Sequence, residues 1–248
     1  MQLMQYVSDV ITKNQYPNSF PAYLDIPRSF VQYCYDFFTT GESRGMELGV
    51  TLSMNGKGEL AISDKVIEGN ATGINLPYVE DNLFFGDLHC HPANSIGHIS
   101  GYAAHSPEDV VSMRSQTSKP VFLRFVCSGG KIYLMVYRNG HSAIVEKNVF
   151  GIRDAYAQQA HDYFNRRCPI TEEEKEEAFS KMSNSAQLNA YTVYMRSKTP
   201  GFGNEMERLS IAGGKEIARA CNLGFFAGDQ GYGVSVWFYD YLRIYLQQ

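Results

Sequence analysis

The chain has a single tryptophan, no Cys-x-x-Cys pair and no apolar run near the ~20 residues that a membrane-spanning helix requires. The five cysteines (Cys34, Cys90, Cys127, Cys168 and Cys221) are odd in number and widely scattered, which argues against a disulfide framework and an all-cysteine zinc site. Reduced thiols are expected. Residues 1–13 lack a basic start and carry Asp9 within their apolar part, so they do not read as a signal peptide. Together these absences point to a protein of the cytoplasm that does not associate with membranes. An excess of one charge sign is also missing. With 22 basic and 26 acidic residues the net charge is −4, which gives no broad electrostatic grip on nucleic acid.

The composition, 44% hydrophobic and 19% charged over 248 residues, suits a folded chain able to bury a core. Pro17 and Pro21 make residues 1–24 read as an irregular segment. From Pro27 to Thr40, apolar side chains recur at helical spacing (Phe30, Val31, Cys34, Phe37, Phe38), and Gly41 and Gly45 close the helix. Residues 46–54 and 60–67 flank the turn signal Asn55-Gly56-Lys57-Gly58 and predict a hairpin. Residues 82–89 predict a third strand. Ser106 is suited to cap a helix whose first turn holds Pro107, Glu108 and Asp109. Strands are expected at 119–128, 131–138 and 142–147. The pattern then turns helical, with helices at 151–167, from the capping box Thr171–Glu174, and at 204–222, where Gly213-Gly214 predicts an interruption. The last residues, from Leu223, suggest a short hairpin. This gives an α/β domain over 25–150 and a mainly helical extension over 151–248, the latter a surface for a partner protein. The acidic cluster Glu172–Glu177 reads as a solvated helix face.

Chemistry concentrates at His89-Cys90-His91-Pro92 and Ser106-Pro107-Glu108-Asp109. Side chains alternate along a strand, so His89 and His91 point the same way and Cys90 points away from them. Asp109, in the first turn of a helix, can add a carboxylate. Three such ligands leave one tetrahedral position open for water, which distinguishes catalytic from structural zinc. Glu47, alone in the apolar stretch Met46–Val50, is placed to take and return a proton. Ser106 is a helix cap or a donor to a developing oxyanion.

Glu47, His89-x-His91-Pro92 and Ser106-x-x-Asp109 match in order the signature of the JAMM zinc metalloproteases, the catalytic branch of the MPN (JAB) domain family. The segment Gly45–Val50 also resembles that family's glutamate strand. The resemblance covers roughly residues 25 to 150. It implies a deaminase-like α/β/α sandwich and a Zn²⁺-dependent peptidase or isopeptidase. His89, His91 and Asp109 would then be metal ligands, with Glu47 as acid/base and Ser106 as oxyanion donor. The implied substrate is a peptide or protein, a ubiquitin-like conjugate or a precursor to be trimmed. One departure is that 14 residues separate His91 from Ser106, about twice the family's usual number. The resemblance holds if residues 93–105 bulge out as a loop, and His98 and His105 within it are then solvent-facing or substrate-facing. Two other readings remain open. Asp87-x-His89-x-His91 also resembles the opening strand of PHP-type phosphoesterases and amidohydrolases, and MPN domains also serve as non-catalytic scaffolds.

Overall fold

The computed structural model describes residues 1–17, 19–70, 73–77, 79–92, 104–116, 118–168, 170–182, 195, 198–229 and 241–247. The expected loop over 93–103, His98 included, lies outside them. The order is α1 (Leu3–Ile11), β1 (Tyr23–Pro27), α2 (Arg28–Arg44), β2 (Leu48–Met54), β3 (Leu60–Ile62), β4 (Ile67–Glu68) and β5 (Phe84–Cys90). Next come α3 (Pro107–Ser112), β6 (Val121–Ser128), β7 (Lys131–Arg138), α4 (Glu146–Arg167), α5 (Glu172–Ser180), α6 (Phe202–Cys221), β8 (Gly224–Asp229) and β9 (Tyr241–Leu246).

All nine described strands belong to one sheet, in the order β1-β9-β8-β7-β6-β5-β2-β3, with β4 also pairing β2. Only β5 and β6 run parallel; the other strand pairs are antiparallel. The alternation of side chains sends each strand's residues into two cores. Leu48, Val50, Leu88, Cys90, Leu123, Phe125, Ile132 and Leu134 meet α1 and α2 on one face. Phe122, Val126, Tyr133, Met135 and Phe225 meet Val110 of α3 and Ile217, Ala218 and Cys221 of α6 on the other. The expectation of an α/β fold is met, with helices on both faces of a mixed sheet.

Several local expectations are corrected. Residues 1–24 are not irregular throughout: Leu3, Tyr6, Val7 and Val10 lie along one buried face of α1, while Asp9 stays outside and pairs with Lys13, and the described residues between α1 and β1 are without helix or strand. Pro17 and Pro21 follow that helix instead of breaking it. The strand expected over 142–147 is absent. Ser142 there accepts from the Arg138 backbone N–H and donates to the Asn222 carbonyl, and α4 begins at Glu146. Residues 60–67 form two short strands instead of one. Gly213-Gly214 does not interrupt α6. A side chain at Gly214 would press on the Phe225 ring at 3.0 Å, so this glycine lets the helix lie close to β8, while Gly213 faces Tyr156 of α4.

The largest correction concerns residues 151–248, which are mainly helical among the described residues but are not an extension of the domain. Position 150 falls inside α4, α6 covers one face of the sheet, and β8 and β9 complete the sheet beside β7. The hairpin suggested by the last residues is realised as the antiparallel pairing of β8 with β9, although 230–240 lie outside the described residues. None of the five cysteines is disulfide-bonded. Among the described residues, no helix is long and apolar enough to cross a membrane.

Candidate metal centre

Strand β5 is buried along its whole length and lies between β2 and β6. Gly49 stands opposite His89 in the antiparallel β2–β5 register, so continuing by two residues sets Glu47 opposite His91. Glu47 is pinned there by its neighbours: its N–H donates to the Asn70 carbonyl (2.8 Å), and its own carbonyl accepts from Gly69 (2.9 Å). On the other side, Asp87 and His89 stand beside Arg124 and Val126 of β6. The site face therefore carries Glu47, His91, His89 and Asp87 on two adjacent strands. Gly49 is small for a reason. A Cβ there would lie 2.4 Å from Leu76 and 2.8 Å from Ile74, two apolar side chains that cross this face beside His89.

A further group arrives from α3. Ser106 caps this helix by accepting from the Asp109 backbone N–H (3.1 Å), while the Asp109 carboxylate accepts from the Ser106 N–H (2.7 Å). Pro107 occupies the first turn, as its missing N–H and fixed φ favour. The cap turns the Asp109 carboxylate toward β5. Its oxygens lie 3.1 Å from His89 Nε2 and 3.4 Å from His91 Nε2, and the two imidazole nitrogens are 3.0 Å apart. Bonds of 2.0–2.1 Å to one tetrahedral ion would separate neighbouring ligand atoms by about 3.3 Å. The three observed separations, two of them taken to the different oxygens of Asp109, are near that figure.

The ligand atoms of Glu47, His89 and His91 also lie within 4.8 Å of one another, so this buried group could hold a metal ion. Two carboxylates thus reach one pair of histidines, and their environments differ. Burial would raise the pKa of Asp109, but the charges and hydrogen bonds of His89 and His91 outweigh it and hold the carboxyl well below its ordinary range. Glu47 moves the other way: burial raises it against the weaker lowering pull of His91 and His89. Asp109 suits a permanently ionised ligand, and Glu47 suits a group that takes up and releases a proton.

The residues singled out from the sequence, Glu47, His89, His91, Ser106 and Asp109, therefore converge, with Ser106 linked to the histidines through Asp109. Cys90 points into the opposite core, where its sulfur accepts from the Leu48 N–H (3.3 Å) and burial pushes the thiol up to about 11. It is neither ligand nor nucleophile. Asp87 is not free to join a metal cluster, because both its oxygens are taken by Arg124 (2.9 and 2.6 Å). That commitment weighs against the phosphoesterase reading of Asp87-x-His89-x-His91.

His105 is neither solvent-facing nor substrate-facing. It is 1% exposed, donates from Nε2 to the Arg124 carbonyl (2.7 Å) and meets the Phe225 ring edge-on. Burial pushes its pKa down to about 3, against an ordinary value near 6.5. The unfolded chain therefore binds the proton first. The stability His105 contributes is complete above about pH 6.5 and is lost as the pH falls toward 3. Between pH 7 and pH 5 the parent is expected to lose about 2 kcal/mol through this group, a loss removed in His105→Gln. Urea unfolding at both pH values checks it, and equal losses in the two proteins would refute it.

Two participants escaped the sequence reading. Arg124 is a lone charge in the apolar run Val121–Cys127, a signal that it must have a buried partner. Ser128, 1% exposed, follows the Cys90–Cys127 pairing by one step and so lies beside His91, its hydroxyl without a hydrogen-bond partner among the described residues. No known family model, no curated protein and no solved structure matches this chain.

Proposed function

We propose that the protein is a zinc-dependent hydrolase of peptide or isopeptide bonds, of the JAMM type within the MPN (JAB) fold. The observation that carries this reading is the convergence of His89, His91 and Asp109 at separations near 3 Å, with a second, proton-loving carboxylate from Glu47 beside them. His89, His91 and Asp109 would hold the ion. A zinc ion held there would supply an acidified water and a polarised carbonyl. Glu47 accepts the proton of the attacking water and delivers it to the leaving amine. The Ser106 hydroxyl, whose oxygen already accepts from Asp109, keeps its own hydrogen to donate to the carbonyl oxygen. An amide of a peptide, or of a ubiquitin-like protein joined to a lysine, fits this division of labour, because its nitrogen leaves only once protonated.

Elemental analysis of the purified chain beside His89→Ala and Asp109→Ala tests the reading. The parent is expected to carry about one zinc, and both variants to lose it. Two or more metals per parent chain would favour phosphoester hydrolysis instead. A parent that takes up no metal would remove the basis of the proposal.

A further inference from the structure

We propose that Arg124 is the positioning residue of the metal centre, holding the turn that carries Asp109 at the reach His89 and His91 require; this rests on the metal reading above. The need arises from the length of α3. Its six residues, even continued by the 3₁₀ turn Met113–Gln116, make too short a helix to hold its place by its own hydrogen bonds, and Asp109 must still be kept against two side chains on a different element.

Arg124 meets that need from both ends of the turn. Its carbonyl takes the His105 Nε2–H just before the cap. Its Nη1 donates to the Asp109 carbonyl and to the Ser112 hydroxyl, which itself donates to the same carbonyl at 2.9 Å. The guanidinium is aimed by Asp87, which takes Nε and Nη2 in a two-point contact, and its central carbon lies 5.4 Å from the centre of the Phe122 ring. Asp87 stands two residues before His89 on the same face of β5. The strand that supplies both imidazoles thus also fixes the carboxylate from α3, through one buried ion pair. A lysine in place of Arg124 has one nitrogen and cannot serve Asp87, Asp109 and Ser112 together in this planar arrangement. Such outer partners of metal ligands commonly alter affinity by 10- to 100-fold.

The test compares the full chain with Arg124→Lys, the milder Ser112→Ala, and Asp109→Ala as reference. Zinc affinity is read by chelator competition, coordination by the visible spectrum of the cobalt(II)-loaded protein, and folding by thermal melting. Folded Arg124→Lys is expected to bind zinc roughly 10- to 100-fold more weakly and to give a cobalt spectrum like that of Asp109→Ala. Ser112→Ala should weaken zinc several-fold, and it decides the matter if Arg124→Lys does not fold. A lowered melting temperature with the parent's affinity and spectrum would make Arg124 a purely structural residue and overturn the inference. A parent that binds neither zinc nor cobalt overturns the metal reading and this inference with it.

Discussion

On the proposed metallopeptidase reading, Glu47→Gln is expected to keep its zinc and to lose hydrolysis by roughly 10²–10⁴-fold, the usual contribution of a positioned proton carrier. The substitution preserves size and the buried position opposite His91, so the histidines and Asp109 are left as they are. It removes only the ability to accept a proton. Burial raises the Glu47 pKa, so the folded state prefers the protonated carboxyl and stability falls as pH rises above the unfolded value near 4.5. The neutral amide escapes that penalty. In metal-free protein at pH 7, Glu47→Gln should therefore melt no lower than the parent. The decisive pair of measurements is turnover of a substrate the parent cleaves and zinc content of the same sample. Undiminished turnover would reassign Glu47 to a structural role, and loss of zinc would make it a ligand.

A chain ending at residue 222 is expected not to fold. Residues 223–247 supply Phe225, Phe226 and Ile244, all fully buried, and the two strands that join β7 to β1. Burial of each such side chain contributes about 1.5–3 kcal/mol, so their sum is comparable to the 5–15 kcal/mol that usually separates folded from unfolded states. Shortening would also expose two raw strand edges, inviting aggregation. Phe225 contributes most, stacked near Tyr133, touched by His105 and packed under Gly214 of α6. Phe225→Ala alone should cost about 3–5 kcal/mol. A cooperative melt of the 1–222 chain, followed by circular dichroism, would show instead that β8 and β9 are an appendage.

The site was legible in the sequence where its chemistry is written locally. The period-two spacing of His89 and His91, the cap Ser106 and Pro107 in the first turn of α3 each follow from a few adjacent residues, and each is found as expected. The β6–β7 turn is equally local: Gly129 and Gly130 both adopt positive φ, 55° and 79°. What was missed depends on partners far along the chain. Nothing near Tyr241–Leu246 announces pairing with Tyr23–Pro27. Gly213-Gly214 has the composition of a helix break, and only the Phe225 ring explains why the helix runs through it. Arg124 shows a buried charge without showing that Asp87, 37 residues earlier, answers it.

The pairing of β1 with β9 also imposes an order in time. Asp25 and Arg243, joined across these strands, lie 218 residues apart. At 5–20 residues per second, a nascent β1 waits roughly 10–45 s on the ribosome for its neighbour. Strands β2, β5 and β6, with Glu47 and both histidines, emerge well inside that interval. On the proposed metal reading, capture can therefore precede completion of the sheet, and an ion bound early would hold the central strands together while the outer edge is still open to the wrong partner.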